Sequence, residues 1–287
     1  MTGLSFEFFP PRSETARASL GRVASALSVH EPDYVSVTFG AGGSDREGTL
    51  ATLQMLHRAD MPVASHICHA GIGRDDVLAY ADEVWSAGIA ELVALRGDAC
   101  GGSAFESTAA FVGALRERHP FEIAVACYPD VHPKASSPQS DIDVLLAKQD
   151  AGATQALSQF FFDCDTFFRF RDRARRAGVT IPIVPGVLPI LDVDKAVAFG
   201  EKCGSPVPDP VRERFARADD EATRDRVARE LIETQAIELA VGGATGLHVY
   251  ALNRAELAGA AASAWNEARQ QVRPAPPLRF PTERRAA

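Results

Sequence analysis

The feature of this sequence that most restricts its fold is a repeated alternation of short strand-like segments with longer amphipathic, helix-like ones. Three helical windows end in an Ala-Gly pair, at Gly88, Gly152 and Gly178, where glycine can take the left-handed conformation that terminates a helix. Eight strands with helices between them, in a chain of 287 residues, predict an α/β protein with a (β/α)8 TIM-barrel fold. The predicted strands are Leu4–Phe9, Tyr34–Phe39, Val63–Ile67, Glu91–Arg96, Ile123–Tyr128, Ala156–Phe161, Ile183–Val187 and Leu247–Tyr250.

An open, doubly wound sheet is the alternative fold for such an alternation. Those sheets usually carry a glycine-rich turn after the first strand, whereas this first strand is followed by Pro10, Pro11 and Arg12. No long linker divides the chain, so residues 1–272 are predicted to form one barrel domain. Residues 204–220 are expected to be an insertion between the seventh and eighth units, and the proline- and charge-rich residues 273–287 to be disordered.

Charge and cysteine content exclude several classes of function. Thirty Lys and Arg against 38 Asp and Glu give a net charge of −8, which argues against binding to nucleic acid or to an anionic membrane. The N-terminal residues do not have the pattern of a signal peptide, and no apolar run is long enough to span a bilayer. Five scattered cysteines without a C-x-x-C pair indicate neither disulfides nor a zinc site. A cytoplasmic protein is expected.

Glu7 is the strongest candidate for a catalytic residue. Strand alternation places Phe6 and Phe8 on one face of the first strand and Glu7 on the other, which points into the barrel if the phenylalanines contact the helices. Chemistry in such barrels occurs at the carboxyl ends of the strands. Partial burial is expected to raise the pKa of Glu7, as suits a general acid. The alternative is a structural carboxylate paired with an arginine.

Other strand ends carry polar and aromatic residues that suit an anionic or heterocyclic ligand. Thr38 faces inward in the second strand, just before a glycine-rich segment. That segment matches no phosphate-binding motif, so it either approaches a ligand closely or is simply a flexible loop. The fourth strand ends in Arg96-Gly97-Asp98, which offers a cation and an anion to a ligand or forms a local salt bridge. His66 with His69 is poor evidence for zinc, and no metal is predicted.

The remaining strand ends suggest an aromatic-lined mouth. Tyr128 and His132 lie in a loop stiffened by two prolines, and Arg254 follows the last strand. Gln159, beside three phenylalanines, is suited to bind the polar edge of a heterocycle or is a core glutamine with satisfied hydrogen bonds. These observations indicate a barrel enzyme with an acid and an anion-binding rim, and they do not name its substrate.

Seven ordered motifs resemble those of the methylenetetrahydrofolate reductase family, in its bacterial single-domain type, over residues 4–262. The motifs are SFEFFPPR (5–12), VSVTFGAGG (35–43), ALRGD (94–98), YPDVHPKA (128–135), QFFFD (159–163), PGVLPI (185–190) and HVYALNRAE (248–256). The resemblance implies reduction of 5,10-methylenetetrahydrofolate to 5-methyltetrahydrofolate with NADH or NADPH, normally through FAD, to supply methyl groups for methionine synthesis. Methylenetetrahydrofolate and NAD(P)H are the expected partners, and association into a homo-oligomer is left open.

The resemblance also implies roles for individual residues. Glu7 corresponds to the proton donor and Asp98 to an aspartate that favours the cationic folate intermediate. Gln159 corresponds to a residue that contacts the pterin and Phe199 to an aromatic that stacks on folate or nicotinamide, with Arg254 as a further substrate-binding cation. The positions corresponding to flavin contacts are Thr38, Phe39, Ala41, His66, Arg96, Gly97, Asp98, Tyr128, His132, Ala135, Asp141 and Lys148.

Several departures from the family pattern concern the flavin. Phe39 replaces a common tyrosine, while Val144 and Ala147 replace an asparagine and an arginine that meet the adenosine diphosphate half of FAD. Each lost polar contact weakens binding by roughly 1–3 kcal/mol, so direct hydride transfer from nicotinamide to folate is an alternative. Lys195 replaces a glutamine near the substrate.

Two other hypotheses for the function stay open. One is a non-catalytic subunit that binds folate or flavin, and the other is a lyase or aldolase that uses Glu7 and Lys148.

Overall fold

The computed structural model describes residues 3–39, 46–97 and 102–272. Eight parallel strands pair in chain order and β8 pairs with β1, which closes the sheet into the predicted (β/α)8 barrel. The strands are β1 (Leu4–Phe8), β2 (Tyr34–Val37), β3 (Val63–Cys68), β4 (Glu91–Leu95), β5 (Glu122–Cys127), β6 (Gln155–Phe160), β7 (Ile183–Val187) and β8 (Leu247–Tyr250). The observed bounds differ from the predicted ones by one or two residues at several strand ends.

Ten helices connect and surround these strands within the described residues. They are α1 (Glu14–Ser28), α2 (Arg46–His57), α3 (Arg74–Ser86), α4 (Thr108–Arg118), α5 (Pro138–Asp150), α6 (Cys164–Arg176), α7 (Val193–Cys203), α8 (Asp209–Ala216), α9 (Glu221–Val241) and α10 (Glu256–Val272). The predicted insertion at 204–220 therefore contains a helix of its own, α8. Within the described ranges, no helix is both long enough and apolar enough to cross a membrane.

Two apolar layers hold the barrel together. Phe6 and Phe8 are fully buried in the larger one, between the strands and the surrounding helices. A smaller cluster fills the inside of the barrel with one side chain from each of the strands β2 to β7. Its members are Tyr34, Ala64, Val93, Ala124, Leu157 and Val184. The expected alternation is therefore confirmed for β1 and β2, and it leaves polar residues above the inner cluster.

Local sequence signals explain where the helices begin and end. Side chains of Ser13, Ser107 and Ser137 cap the N-termini of α1, α4 and α5 by accepting backbone N–H groups. The three predicted glycine terminators have positive φ angles of 81°, 106° and 106°. Only a few residues separate the helices that end at these glycines from the strands that follow them. All eight strands run parallel, so their carboxyl ends form one rim.

Candidate active site

Glu7 lies inside the rim of the barrel, between two histidines from distant strands. Its Oε2 atom is 3.4 Å from Nε2 of His66 in β3 and 3.5 Å from Nε2 of His248 in β8. The Glu7 side chain retains 13% exposure, against 6% for His66 and none for His248. The predicted inward direction of Glu7 is confirmed, and in the described part of the chain its ion-pair partners are histidines, with no arginine among them.

The electrostatics of Glu7 differ from the sequence prediction. Burial raises the pKa of this carboxyl group, as expected, but the charge of His66 and the hydrogen bond and charge of His248 lower it, and the net pKa lies below its usual value. The prediction of a raised pKa is therefore wrong for the protein without ligands. The reason is that the two imidazoles come from β3 and β8, which the pattern of β1 does not reveal.

Three buried side-chain atoms on or just after β2 and on β3 lack hydrogen-bond partners within the described residues. They are Oγ of Ser36, Oγ1 of Thr38 and Nε2 of His66, all buried. The His66 atom is within ion-pair distance of Glu7 but not in hydrogen-bonding geometry. Burial lowers the pKa of His66, and the charge of Glu7 opposes this effect. Buried polar atoms of this kind normally have a partner, so the three suit contact with a polar ligand at the mouth.

Those described residues that are predicted to contact flavin lie on or just after the strands β2 to β5, or on α5. The Tyr128 and His132 rings meet edge-on with centroids 4.5 Å apart, and the backbone N–H of His132 donates to Asp141 at 2.9 Å. Ala135 donates its backbone N–H to the carbonyl of His132 at 2.8 Å. The loop after β5 is therefore held against the first turn of α5.

Lys148 is nearly fully buried on α5, and its side chain reaches β5. Its Nζ atom donates to the carbonyl of Ala126 in β5 at 2.8 Å. Burial lowers the pKa of Lys148, while Cys127 and Asp141 oppose that shift. None of these contacts joins Lys148 to Glu7, so the paired use of the two residues that a lyase or aldolase requires gains no support from the described contacts.

The end of β4 lies tightly against β3. Gly97 has a φ of 87°, and a Cβ at this position would meet Cβ of Cys68 at 2.9 Å, so a side chain is excluded here. Arg96 is exposed, and its guanidinium donates to the carbonyl of Gly97 at 3.3 Å. Asp98 and Ala41 lie outside the described residues, and their predicted roles stay predictions.

The opposite arc of the rim is aromatic. Phe199 is 46% exposed, and its ring stacks on the buried ring of Phe160 with centroids 5.2 Å apart. Tyr250 meets Phe160 edge-on at 6.1 Å and donates its hydroxyl proton to the carbonyl of Ser158 at 2.9 Å. Gln159 is half-buried, and its amide oxygen accepts the backbone N–H of Phe160 at 3.0 Å. An exposed aromatic ring beside a polar amide suits a planar heterocycle.

Sequence reasoning did not single out His248, Tyr250 or Asn253. Alternation along β8 puts His248 and Tyr250 on one inward face, which was the available signal. Asn253 adopts a left-handed conformation and exchanges two hydrogen bonds with the backbone of Phe9, at 2.8 and 2.9 Å. This exchange ties the end of β1 to the turn after β8. Arg254 follows in that turn and is exposed.

The departures from the family pattern also have definite environments. Phe39 is half-buried, with its ring centroid 5.1 Å from that of Tyr80. Val144 is 51% exposed on α5, and Ala147 is exposed one turn later. Lys195 is exposed and pairs with Asp192 at 3.0 Å. The surface of α5 near the predicted flavin arc is therefore apolar at two positions.

Comparison with known proteins agrees with the resemblance read from the motifs. The sequence profile of the family described as methylenetetrahydrofolate reductase matches residues 1–264. Proteins named 5,10-methylenetetrahydrofolate reductase from Salmonella typhimurium and Escherichia coli are 38% and 37% identical over 258 residues, which span 88% of this chain and 87% of each relative.

Solved structures with the same architecture include proteins that bind folates and pterins. A protein from Clostridium thermocellum, described as binding two copies of 5-methyl-5,6,7,8-tetrahydrofolic acid, has a TM-score of 0.66 at 10% identity and covers 94% of this chain and 96% of its own. A dihydropteroate synthase from Coxiella burnetii in complex with pteroic acid has a TM-score of 0.54 at 10% identity, covering 94% and 93%. At such identities the likeness shows the fold alone.

Because the family profile spans most of the chain and the two bacterial relatives match most of it at well above 30% identity, this chain belongs to the methylenetetrahydrofolate reductase family.

Proposed function

We propose that the protein reduces 5,10-methylenetetrahydrofolate to 5-methyltetrahydrofolate with a hydride that comes from NADH or NADPH. The observation that carries this proposal is the position of Glu7, whose carboxyl group faces the barrel mouth at the end of β1 with 13% of its side chain still exposed. Membership in the family supports the reaction class. The aromatic arc with Phe199 and Gln159 supports a planar heterocyclic substrate.

The proposed chemistry begins with a proton from Glu7. The protonated carboxyl group donates to N10 as the C–N bond to the bridging methylene group breaks, which leaves a 5-iminium cation. Hydride then adds to that carbon and gives the 5-methyl group. Proton and hydride together account for the two hydrogen atoms that the product gains. Asp98, at the end of β4 in the sequence, is proposed to favour the cation electrostatically.

The lowered pKa of Glu7 means that ligand binding must favour its protonated form. Burial already acts in that direction, and the two imidazoles act against it. A ring placed over the remaining exposed part of Glu7 removes water and strengthens the effect of burial on the pKa. The acid is therefore proposed to gain its proton as the substrate binds.

FAD is proposed as the normal carrier of hydride between nicotinamide and folate. Its isoalloxazine ring suits the arc of β2 to β5, where Thr38 and His66 present buried polar atoms without partners in the described residues. The residues proposed to hold it are Thr38, Phe39, Ala41, His66, Arg96, Gly97, Asp98, Tyr128, His132, Ala135, Asp141 and Lys148. When bound, FAD supplies a two-electron carrier.

A second candidate is direct hydride transfer from nicotinamide to folate without flavin. The exposed Val144 and Ala147 on α5 favour it, because they offer no polar group to the adenosine diphosphate half of FAD. Direct transfer needs the same acid and the same folate site. The expected partners are therefore methylenetetrahydrofolate and NAD(P)H in either case, and self-association and a cytoplasmic location stay predictions.

The test is an absorbance spectrum of the purified protein, followed by NAD(P)H oxidation with methylenetetrahydrofolate, with and without added FAD. Substoichiometric flavin with turnover that needs added FAD indicates weak FAD binding, and full turnover without flavin indicates direct transfer. Glu7→Gln is expected to abolish 5-methyltetrahydrofolate formation, while any bound flavin stays reducible by NAD(P)H. Product formation by Glu7→Gln would refute the role of Glu7, and a wild-type protein that binds folate without turnover would favour the non-catalytic subunit.

A further inference from the structure

A chain of polar side chains runs through the inside of the barrel and ends at Glu7. Gln155, at the start of β6, donates its amide N–H to the hydroxyl of Tyr34 at 3.1 Å. The side chain of Ser5 is also close enough to Tyr34 to influence its hydroxyl. The Ser5 hydroxyl lies 2.8 Å from Nδ1 of His248, and the other ring nitrogen of His248 faces Glu7 at 3.5 Å. The reaction proposed above uses none of these polar side chains except Glu7.

The donor and the acceptor in each of these hydrogen bonds follow from counting the protons that each group carries. The Glu7 carboxylate can only accept a hydrogen bond, so Nε2 of His248 carries the hydrogen in the contact between them. Ser5 then donates its proton to Nδ1 of His248. A neutral imidazole that accepts at Nδ1 carries its hydrogen on Nε2.

We propose that His248 is a positioning residue for the acid step: Tyr34 and Ser5 fix its Nε2–H tautomer, which directs a donor at Glu7, orients the carboxyl group and sets the pH range of proton delivery. This inference rests on the function proposed above. Glu7 has four titratable neighbours among the described residues: His66 from β3, Tyr34 from β2, and His248 and Tyr250 from β8. Of these, His248 forms the hydrogen bond to the carboxylate.

The expected pH effect has a definite sign. A hydrogen bond to the carboxylate favours the charged form and lowers the pKa of Glu7. The acid must be protonated to act, so folate reduction decreases as pH rises through the pKa of Glu7 in the complex. Loss of the His248 donor raises that pKa and is expected to move the alkaline limb of kcat upward by about one pH unit.

The experiment compares pH profiles of folate reduction for the wild type and four variants. His248→Leu removes the donor and should move the alkaline limb upward, whereas His248→Gln keeps an N–H donor and should restore most of the wild-type profile. Ser5→Ala and Tyr34→Phe leave His248 in place but release its tautomer, so smaller shifts in the same direction are expected.

Nitrogen-15 NMR of the imidazoles in the full-length protein reads the tautomer without turnover. The wild type should show His248 with hydrogen on Nε2, and Ser5→Ala should show a mixture of tautomers. Tyr80→Phe is a matched control for Tyr34→Phe. Tyr80 is also a buried tyrosine, and its hydroxyl lies 3.1 Å from that of Ser65, but it does not belong to the series of polar side chains that ends at Glu7. The control should change neither the tautomer nor the alkaline limb.

The results separate failure of this inference from failure of the proposed function. An active wild type whose alkaline limb does not move in His248→Leu, or whose His248 carries hydrogen on Nδ1, overturns the inference alone. A wild type without folate reduction overturns both. If His248→Leu fails to fold, Ser5→Ala and Tyr34→Phe decide the matter: an unchanged tautomer in both overturns the inference.

Discussion

Replacement of Gly186 by alanine tests how closely β6, β7 and β8 fit together beside the proposed substrate site. A Cβ at this position would overlap the carbonyl oxygen of Ser158 and lie 2.8 Å from Cε2 of Tyr250, both closer than the 3.0 Å at which something must shift. Ser158 already bonds to this region twice, since its hydroxyl accepts the Gly186 N–H and its carbonyl accepts the Tyr250 hydroxyl. Neither group can move without loss of a hydrogen bond.

The magnitude follows from overpacking. Gly186 is not among the glycines with positive φ, so the penalty is steric and not conformational. Overpacking of this kind destabilises by about 1–3 kcal/mol, and each kcal/mol lowers Tm by roughly 2–4 °C in a domain of this order of size. Gly186→Ala is therefore expected to lower Tm by about 2–12 °C and to raise KM for the folate, because Tyr250 is displaced.

Thermal melting monitored by circular dichroism, together with steady-state kinetics, provides the measurement. Gly21→Ala is the control, because Gly21 is exposed in the middle of α1 and a Cβ there meets nothing within 4 Å. It should stabilise the protein by about 0.5–1 kcal/mol, since alanine is the better helix former. A Gly186→Ala protein that melts at or above the wild-type temperature would refute the reasoning.

Three further changes have expected outcomes. Phe199→Ala should raise KM for the folate by up to about tenfold through lost stacking with little change in Tm, because the ring is 46% exposed; steady-state kinetics measures this. Asn253→Ala should lower the free energy of unfolding by about 1–2 kcal/mol in urea titrations, because two hydrogen bonds to Phe9 are lost. Asp82 pairs with Arg118, and its pKa is lowered to about 2. The pair therefore stabilises the folded state above the unfolded pKa of about 4, and that contribution is lost as pH falls through about 2. Urea titrations should show Asp82→Asn less stable than the wild type by under about 1 kcal/mol at pH 7, because the pair is exposed, with no difference remaining below pH 2.

Each of these predictions has a control. Phe199→Tyr keeps an aromatic ring and should retain most of the affinity, so an equal loss in both variants would contradict a stacking role. Asn253→Gly keeps the left-handed conformation without the side chain and separates backbone strain from hydrogen bonding. The Asp82 effect should shrink in high salt, because exposed charge pairs are screened; a salt-independent effect would point to another cause.

Much of the fold was readable from local pattern. Alternation along β1 correctly placed Phe6 and Phe8 against the helices and Glu7 inside, because side chains of a strand alternate whatever the partner strands are. Helix termination at Gly88 was equally local, since it depends on the freedom of one residue to adopt positive φ. The helix α8 inside residues 204–220 was missed, because proline and charge obscured a short amphipathic segment.

The site was only partly readable. His66 was recognised as a residue at the rim, but its distance from Glu7 was not, and His248 was not singled out. Tyr250 and Asn253 gain their roles from contacts with Ser158 and Phe9, which lie far away in the chain. Such contacts depend on barrel closure, which brings β8 beside β1.

Pattern along the backbone was enough to predict the order of strands and helices, the side of β1 on which Glu7 lies, and the family to which the chain belongs. The direction of the pKa shift of Glu7 could not be predicted in this way, because the imidazole that hydrogen-bonds to it comes from 241 residues away in the chain. Strand alternation acts between neighbours along the backbone, whereas a pKa responds to charges and donors close in space. Closure of the barrel pairs β8 with β1 and so brings His248 within hydrogen-bond distance of Glu7.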